Sequence, residues 1–171
     1  LPNLDELTEY KSRLKSFRSL PDAVKRLLEL IPESAHPMDV LRTGCSMMGH
    51  CFPESEDHSA EEARTHIDRL MAAFPSILLY WYHFSRDGRR IEVATDADSI
   101  GEHFLELLHQ RKPSISWIRA MHTSLNLYAE HELNASTFAA RVIAGTASDL
   151  YSSITGAIGA LPGEGRYWIR L

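Results

Sequence analysis

The chain predicts an all-α fold of about eight or nine helices, and three observations carry that reading. Apolar residues recur at three- and four-residue steps along most of the sequence, the spacing of one helix face. Convincing strand patterns, with apolar and polar residues alternating, are scarce. Proline, serine, asparagine and aspartate fall where the periodic stretches begin, and proline or glycine where they end.

Taken in order, Leu4, Leu7, Tyr10, Leu14 and Phe17 form the stripe of a helix over 3–18 capped by Asn3. Pro21 in the first turn, with Asp22 beside it, opens a second helix on Val24, Leu27, Leu28 and Ile31, which Pro32 ends. After a turn at 34–37, Pro37 starts a third through Met38, Leu41, Cys45 and Met48. Residues 51–59 are polar, acidic and contain Pro53, so they read as a loop. Ser59 caps a long pattern over 60–84 through Ile67, Leu70, Met71, Phe74, Leu78 and Trp81, which Pro75 is expected to kink or break. Asp87-Gly88 marks an exposed turn. Residues 96–99 cap a helix through Ile100, Phe104, Leu107 and Leu108. Pro113 and Ser114 open the next, on Ile115, Ile118, Met121, Leu125 and Tyr128. A further helix is expected over 136–145, capped by Ser136 and ended by Gly145. The last runs from Ser148-Asp149 through Leu150, Ile154, Ile158 and Leu161. Its second face holds Gly156 and Gly159 with Ala157 and Ala160 beside them, small residues expected where another backbone comes close. These helices are therefore expected to be buried on several sides, as at the centre of a large helical protein or in a dimer interface.

A chain of 171 residues, 44% hydrophobic and 24% charged, suits one globular domain or a piece of a larger one. A net charge of -5 argues against nucleic acid or an anionic membrane as partner, since both need a basic face. The longest apolar run, 77–82, is far short of a membrane span. Cys45 and Cys51 are six apart, which points them in different directions on a helix and is not a zinc spacing. They read as free thiols, with a reducing, cytoplasmic setting expected. The chain opens Leu1-Pro2-Asn3 without an initiator methionine, so further segments are expected at both ends.

Nine histidines invite a metal reading. Glu106-Leu107-Leu108-His109 matches the Glu-x-x-His element of di-iron bundles, and Glu33-Ser34-Ala35-His36 matches it formally, but Pro37 puts the second copy in a turn. No metal is expected, and His58, His66 and His109 read as solvated surface residues. His131 differs. It stands three residues beyond Tyr128 and three before Asn134, where one helical pattern ends and the next begins. A phenol, an imidazole and a carboxamide can converge there on a small anionic ligand such as a keto-dicarboxylate. The donors would fix its oxygens, and the imidazole can carry charge at little cost.

Two segments carry a family resemblance. His36-Pro37-Met38-Asp39-Val40-Leu41-Arg42-Thr43-Gly44 looks like the His-Pro-Met-Asp-Val-Leu/Met-Arg-Thr signature of bacterial-type citrate synthases. Tyr128-Ala129-Glu130-His131-Glu132-Leu133-Asn134-Ala135-Ser136 resembles the family's Ala-Asp/Glu-His-Glu-x-Asn-Ala-Ser motif. Residues 1–20 and 141–161 resemble the family's flanking helices, so the resemblance covers 1–163, a partial large helical domain without the small lid domain. Segments 138–141, 148–151, 99–101 and 103–105 look more like the 2-methylcitrate synthase branch.

The resemblance implies an acyltransferase that condenses propionyl-CoA with oxaloacetate to 2-methylcitrate and hydrolyses the thioester, in propionate catabolism. It implies a homodimer and no cofactor beyond the acyl-CoA substrate. His131 would contact oxaloacetate, Tyr128 would line the substrate pocket, and Asn134 would stand behind them. Beyond Gly163 the family continues into a Gly-Pro-x-His-Gly-Gly motif with an enol-stabilising histidine, whereas this chain reads Glu164-Gly165-Arg166-Tyr167 to Leu171. No catalytic residue is carried over, and these 171 residues alone are expected to be inactive. The alternatives are acetyl-CoA as substrate, giving citrate, and a non-catalytic helical scaffold.

Overall fold

The structure is a computed structural model and describes residues 2–55, 59–129 and 134–161. Among the described residues the chain forms eight helices and no strand, as the periodicity predicts. They are α1 (Leu4–Ser16), α2 (Asp22–Glu29), α3 (Pro37–Cys51), α4 (Ala60–Asp87), α5 (Ile100–His109), α6 (Ile115–Ala129), α7 (Ala135–Ala144) and α8 (Leu150–Ala160).

The 28-residue α4 is the mast of the fold, and α1, α2, α3 and α5 all pack on it. The remaining helices extend from this centre in two arms, α8 on α3 with α7 on α8, and α6 on α5. The core gathers Val24 and Leu28 of α2, Val40, Cys45 and Met48 of α3, Leu70, Ala73, Ile77, Tyr80 and Trp81 of α4, Leu107 of α5 and Tyr151 of α8. Each fully buried aliphatic side chain contributes about 1.5–3 kcal/mol. The centre is therefore held by the hydrophobic effect, whereas α1, α6 and α7 bury no residue at all. Gly44 lets α3 and α4 touch, since a Cβ there would lie 2.5 Å from Ile77 Cγ2.

Residues 88–98 have no regular structure, yet they are tied down. Ile91, Val93 and Ala97 are buried. The Arg90 guanidinium forks onto Glu29 at 2.7 and 2.8 Å, and Tyr80 donates to the same carboxylate. Those donors hold the Glu29 carboxyl down to about 2, with the Arg90 fork the larger cause.

Several expectations are corrected. Pro75 does not break α4: the helix runs through it, because turns on both sides are packed against α2, α3 and α5 and outweigh one missing hydrogen bond. Pro21 is the N-cap of α2 and not its first-turn residue, with extended ψ of 147°. Cys51 ends α3 and does not begin the loop. Ile67 and Met71 face solvent, and Tyr80 and Ile77 take the core places on α4. His66 is buried and not on the surface, its Nδ1 2.9 Å from the Tyr151 hydroxyl. His109 is exposed and meets Trp117 edge-on, while His58 lies outside the described residues. The stripe expected to bury α6 is open, with Ile115, Leu125 and Tyr128 all exposed. Gly156 does mark a close approach, but within the chain: a Cβ there would lie 2.1 Å from Ile143 Cδ1 of α7.

Candidate functional site

The junction singled out by the sequence lies between α6, which ends at Ala129, and α7, which starts at Ala135. Tyr128 stands in the last turn of α6, 83% exposed. Asn134, and not Ser136, is the N-cap of α7. Its Oδ1 accepts from the Thr137 N–H at 2.8 Å, and its backbone is extended. His131 lies outside the described residues, as do 130, 132 and 133. The described geometry thus covers the two flanks of this junction. Asn134 orients the chain as it enters α7, and its carboxamide oxygen is engaged by the cap.

Beside Asn134 a recess of about 510 Å³ runs along one face of α7, lined by Asn134, Ala135, Phe138, Arg141 and Val142. These positions follow the helical repeat, so one stripe presents an amide, an aromatic ring, a guanidinium and a branched aliphatic group. A guanidinium offers a planar fork of donors suited to a carboxylate or phosphate, and the apolar wall suits an acyl or methylene segment. Sequence reasoning treated Phe138 and Arg141 only as markers of a subfamily. Their helical spacing from Asn134 was the signal that could have placed them here.

The other specific motif is architectural. His36 Nδ1 accepts from the Met38 N–H at 3.2 Å and caps α3, with Pro37 in its first turn. Val40, Gly44 and Cys45 are buried, and Arg42 pairs with Asp39 at 3.1 Å. Segment 148–151 is also structural. The Asp149 carboxylate caps α8 through the Ser152 N–H at 2.8 Å, and Glu54 accepts from the Leu150 N–H. The Tyr151 hydroxyl meets His66, and its burial pushes the phenol up to about 12. Cys45 and Cys51 are free thiols. Among the described residues no cluster of three or more His, Cys, Asp or Glu side chains is placed to hold a metal ion, and no helix is long and apolar enough to cross a membrane.

Three kinds of likeness bear on this arrangement. Residues 1–166 match the family model described as citrate synthase, C-terminal domain. The chain is 57% identical over 163 residues to the 2-methylcitrate synthase of Shewanella oneidensis, covering 95% of this chain and 43% of that protein. The citrate synthase of Thermotoga maritima superposes with a TM-score of 0.80 at 36% identity, over 95% of this chain and 41% of its own. The citrate synthase of the archaeon Thermoplasma acidophilum, solved in a ternary complex with carboxymethyl coenzyme A and oxaloacetate, reaches a TM-score of 0.84 at 28% identity, over 95% of this chain and 42% of its own. The chain therefore spans under half the length of the relatives it matches.

Proposed function

Because the chain belongs to the citrate synthase family, we propose that the protein it represents joins propionyl-CoA to oxaloacetate and hydrolyses the product thioester, giving 2-methylcitrate and free coenzyme A. The observation that carries the substrate choice is the 57% identity to a 2-methylcitrate synthase over 95% of the chain. In this reaction the α-carbon of the acyl-CoA loses a proton. The resulting enol attacks the keto carbon of oxaloacetate, forming the new carbon–carbon bond, and water then cleaves the thioester. No redox partner or metal enters the balance.

Within that scheme, His131 binds the keto-dicarboxylate through its ring N–H, Tyr128 lines the pocket, and Asn134 fixes the start of α7 behind them. Arg141 and Phe138 supply the cation and the apolar wall of the adjoining recess. The exposed apolar groups of α6 and α7, among them Trp117, Leu127, Phe138 and Val142, support a homodimer that covers them.

The decisive experiment uses the intact enzyme. Coenzyme A release is followed with oxaloacetate and either propionyl-CoA or acetyl-CoA. A higher kcat/KM for propionyl-CoA is expected, and preference for acetyl-CoA would make it a citrate synthase, the reading favoured by the likeness to the Thermotoga enzyme. One methylene is worth about 1–3 kcal/mol, so the ratio should fall between about tenfold and 200-fold. His131→Ala is expected to raise the oxaloacetate KM with little change in the acyl-CoA KM. A shift confined to the acyl-CoA dependence would remove His131 from the proposed role. No turnover with either thioester would leave the scaffold reading.

A further inference from the structure

We infer that the buried pair His66 and Tyr151 is a positioning clamp for the proposed substrate junction: it fixes the start of α8 on α4, and α8 in turn seats α7, whose first turn Asn134 caps. The inference rests on the substrate reading given above for that junction. Both side chains are buried, so their contact is set by the packing of α3, α4 and α8 themselves.

Tyr151 stands in the first turn of α8, where these three helices meet. A Cβ on Gly49 of α3 would lie 2.8 Å from Tyr151 Cβ, which makes that glycine the seat of the tyrosine. From there the ring reaches α4 and meets His66 edge-on, with centroids 5.3 Å apart and the hydroxyl 2.9 Å from Nδ1.

A third group sets the order of the protons. His66 Nε2 faces Glu62 Oε1 at 3.8 Å, and a carboxylate only accepts. The Ser55 amide and hydroxyl, at 2.6 and 2.8 Å, hold the Glu62 carboxyl below its ordinary value, so it stays ionised. Nε2 therefore carries the imidazole proton, and Nδ1 accepts from the Tyr151 hydroxyl.

Helix α8 passes this restraint on. It packs on α7, and at Gly156 the approach is so close that a Cβ would lie 2.1 Å from Ile143 Cδ1. Close-packed interiors transmit small shifts, so a displaced α8 displaces α7 and with it Asn134. Misplacement of a binding group by a fraction of an ångström is costly even when its cause is remote.

Tyr151→Phe in the intact enzyme removes the hydroxyl and keeps the ring. The oxaloacetate KM is expected to rise about fivefold to tenfold, with the propionyl-CoA KM within about twofold. Hydrogen exchange of the α7 amides should quicken about fivefold, while α2 and α5 stay within about twofold. His66→Asn, whose amide oxygen can stand in for Nδ1, should keep an oxaloacetate KM near the natural one, whereas His66→Leu should raise it at least as far as Tyr151→Phe. Val24→Ala, a cavity in the centre on α2, should lower the unfolding midpoint and leave both KM values within about twofold. The clamp is overturned if α7 exchange is unchanged in Tyr151→Phe, if the two KM values rise together, or if His66→Asn and His66→Leu behave alike. Absence of turnover with either thioester would refute the substrate reading, and exchange at α7 would still decide the clamp.

Discussion

His103 sits at the buried meeting point of α4, α5 and the 88–98 connection, with Ser76 Oγ 3.2 Å from Nε2 and Thr95 Oγ1 3.0 Å from Nδ1. Both partners are hydroxyls, which can donate or accept, so a neutral ring is satisfied whichever nitrogen holds the proton. A charged ring is not tolerated: burial first, and the Arg18 cation second, push His103 down to about 3. The group is a base whose folded value lies below its unfolded value, near 6.5. Above pH 6.5 neither state binds the proton and stability is unaffected. As pH falls from 6.5 toward 3, the unfolded chain takes up a proton that the folded one refuses, and stability declines by up to about 1.4 kcal/mol per pH unit. Denaturant unfolding at pH 7 and pH 5 should show this loss, about 2 kcal/mol at most. His103→Gln, less stable throughout, should lose that share of the slope; an unchanged slope would show that other groups cause it.

Helix α8 shows how two glycines of one element carry opposite instructions. A Cβ on Gly156 would lie 2.1 Å from Ile143 Cδ1, whereas one on Gly159 would meet Arg42 Cδ at 3.5 Å, an ordinary contact. Alanine gains up to about 1 kcal/mol over glycine in a helix interior. Gly159→Ala should therefore stabilise the chain by about 0.5 kcal/mol, less than the full gain because the site is near the helix end. Gly156→Ala should destabilise it by about 1 kcal/mol, since the overlap outweighs the propensity, and Ile143→Val should recover part of that loss in the double variant. Thermal unfolding of the three variants measures both signs, and equal shifts at 156 and 159 would refute the packing argument. Sequence alone could see that the glycines were unusual but not which neighbour stood over each. Element starts were more legible, because caps are local chemistry: Asn3 and Ser59 cap as expected, and Ser99 caps within the expected 96–99. The miss at α7 is instructive, as Asn134 and Ser136 are both good caps and only the backbone decides between them. Pro75 does not end the helix, because tertiary packing along α4 outweighs the local penalty that the sequence shows.

At the scale of the whole molecule, the division between buried centre and open arms is what periodicity could not reveal. An apolar stripe tells that a helix wants to be covered, not by what. The stripes of α2 and α3 are covered within the chain, while Ile115, Trp117, Leu125 and Leu127 of α6 and Phe138 and Val142 of α7 remain exposed. Isolated apolar residues on a surface are ordinary, but six on two helices flanking one proposed substrate junction form a surface that calls for a cover. The proposed homodimer supplies it and ties assembly to the site, because the same α7 face that bears Phe138 and Val142 also lines the recess beside Asn134. A charge placed in such a patch is costly only if the patch is desolvated. Trp117→Glu in the intact protein should then weaken self-association by at least about 2 kcal/mol, roughly thirtyfold in the dissociation constant, read by sedimentation velocity over a dilution series. A solvated Trp117, by contrast, would tolerate the change with a dissociation constant and unfolding midpoint close to those of the natural protein. That result would detach α6 from the interface and leave the exposed stripe to be covered by other parts of the same polypeptide.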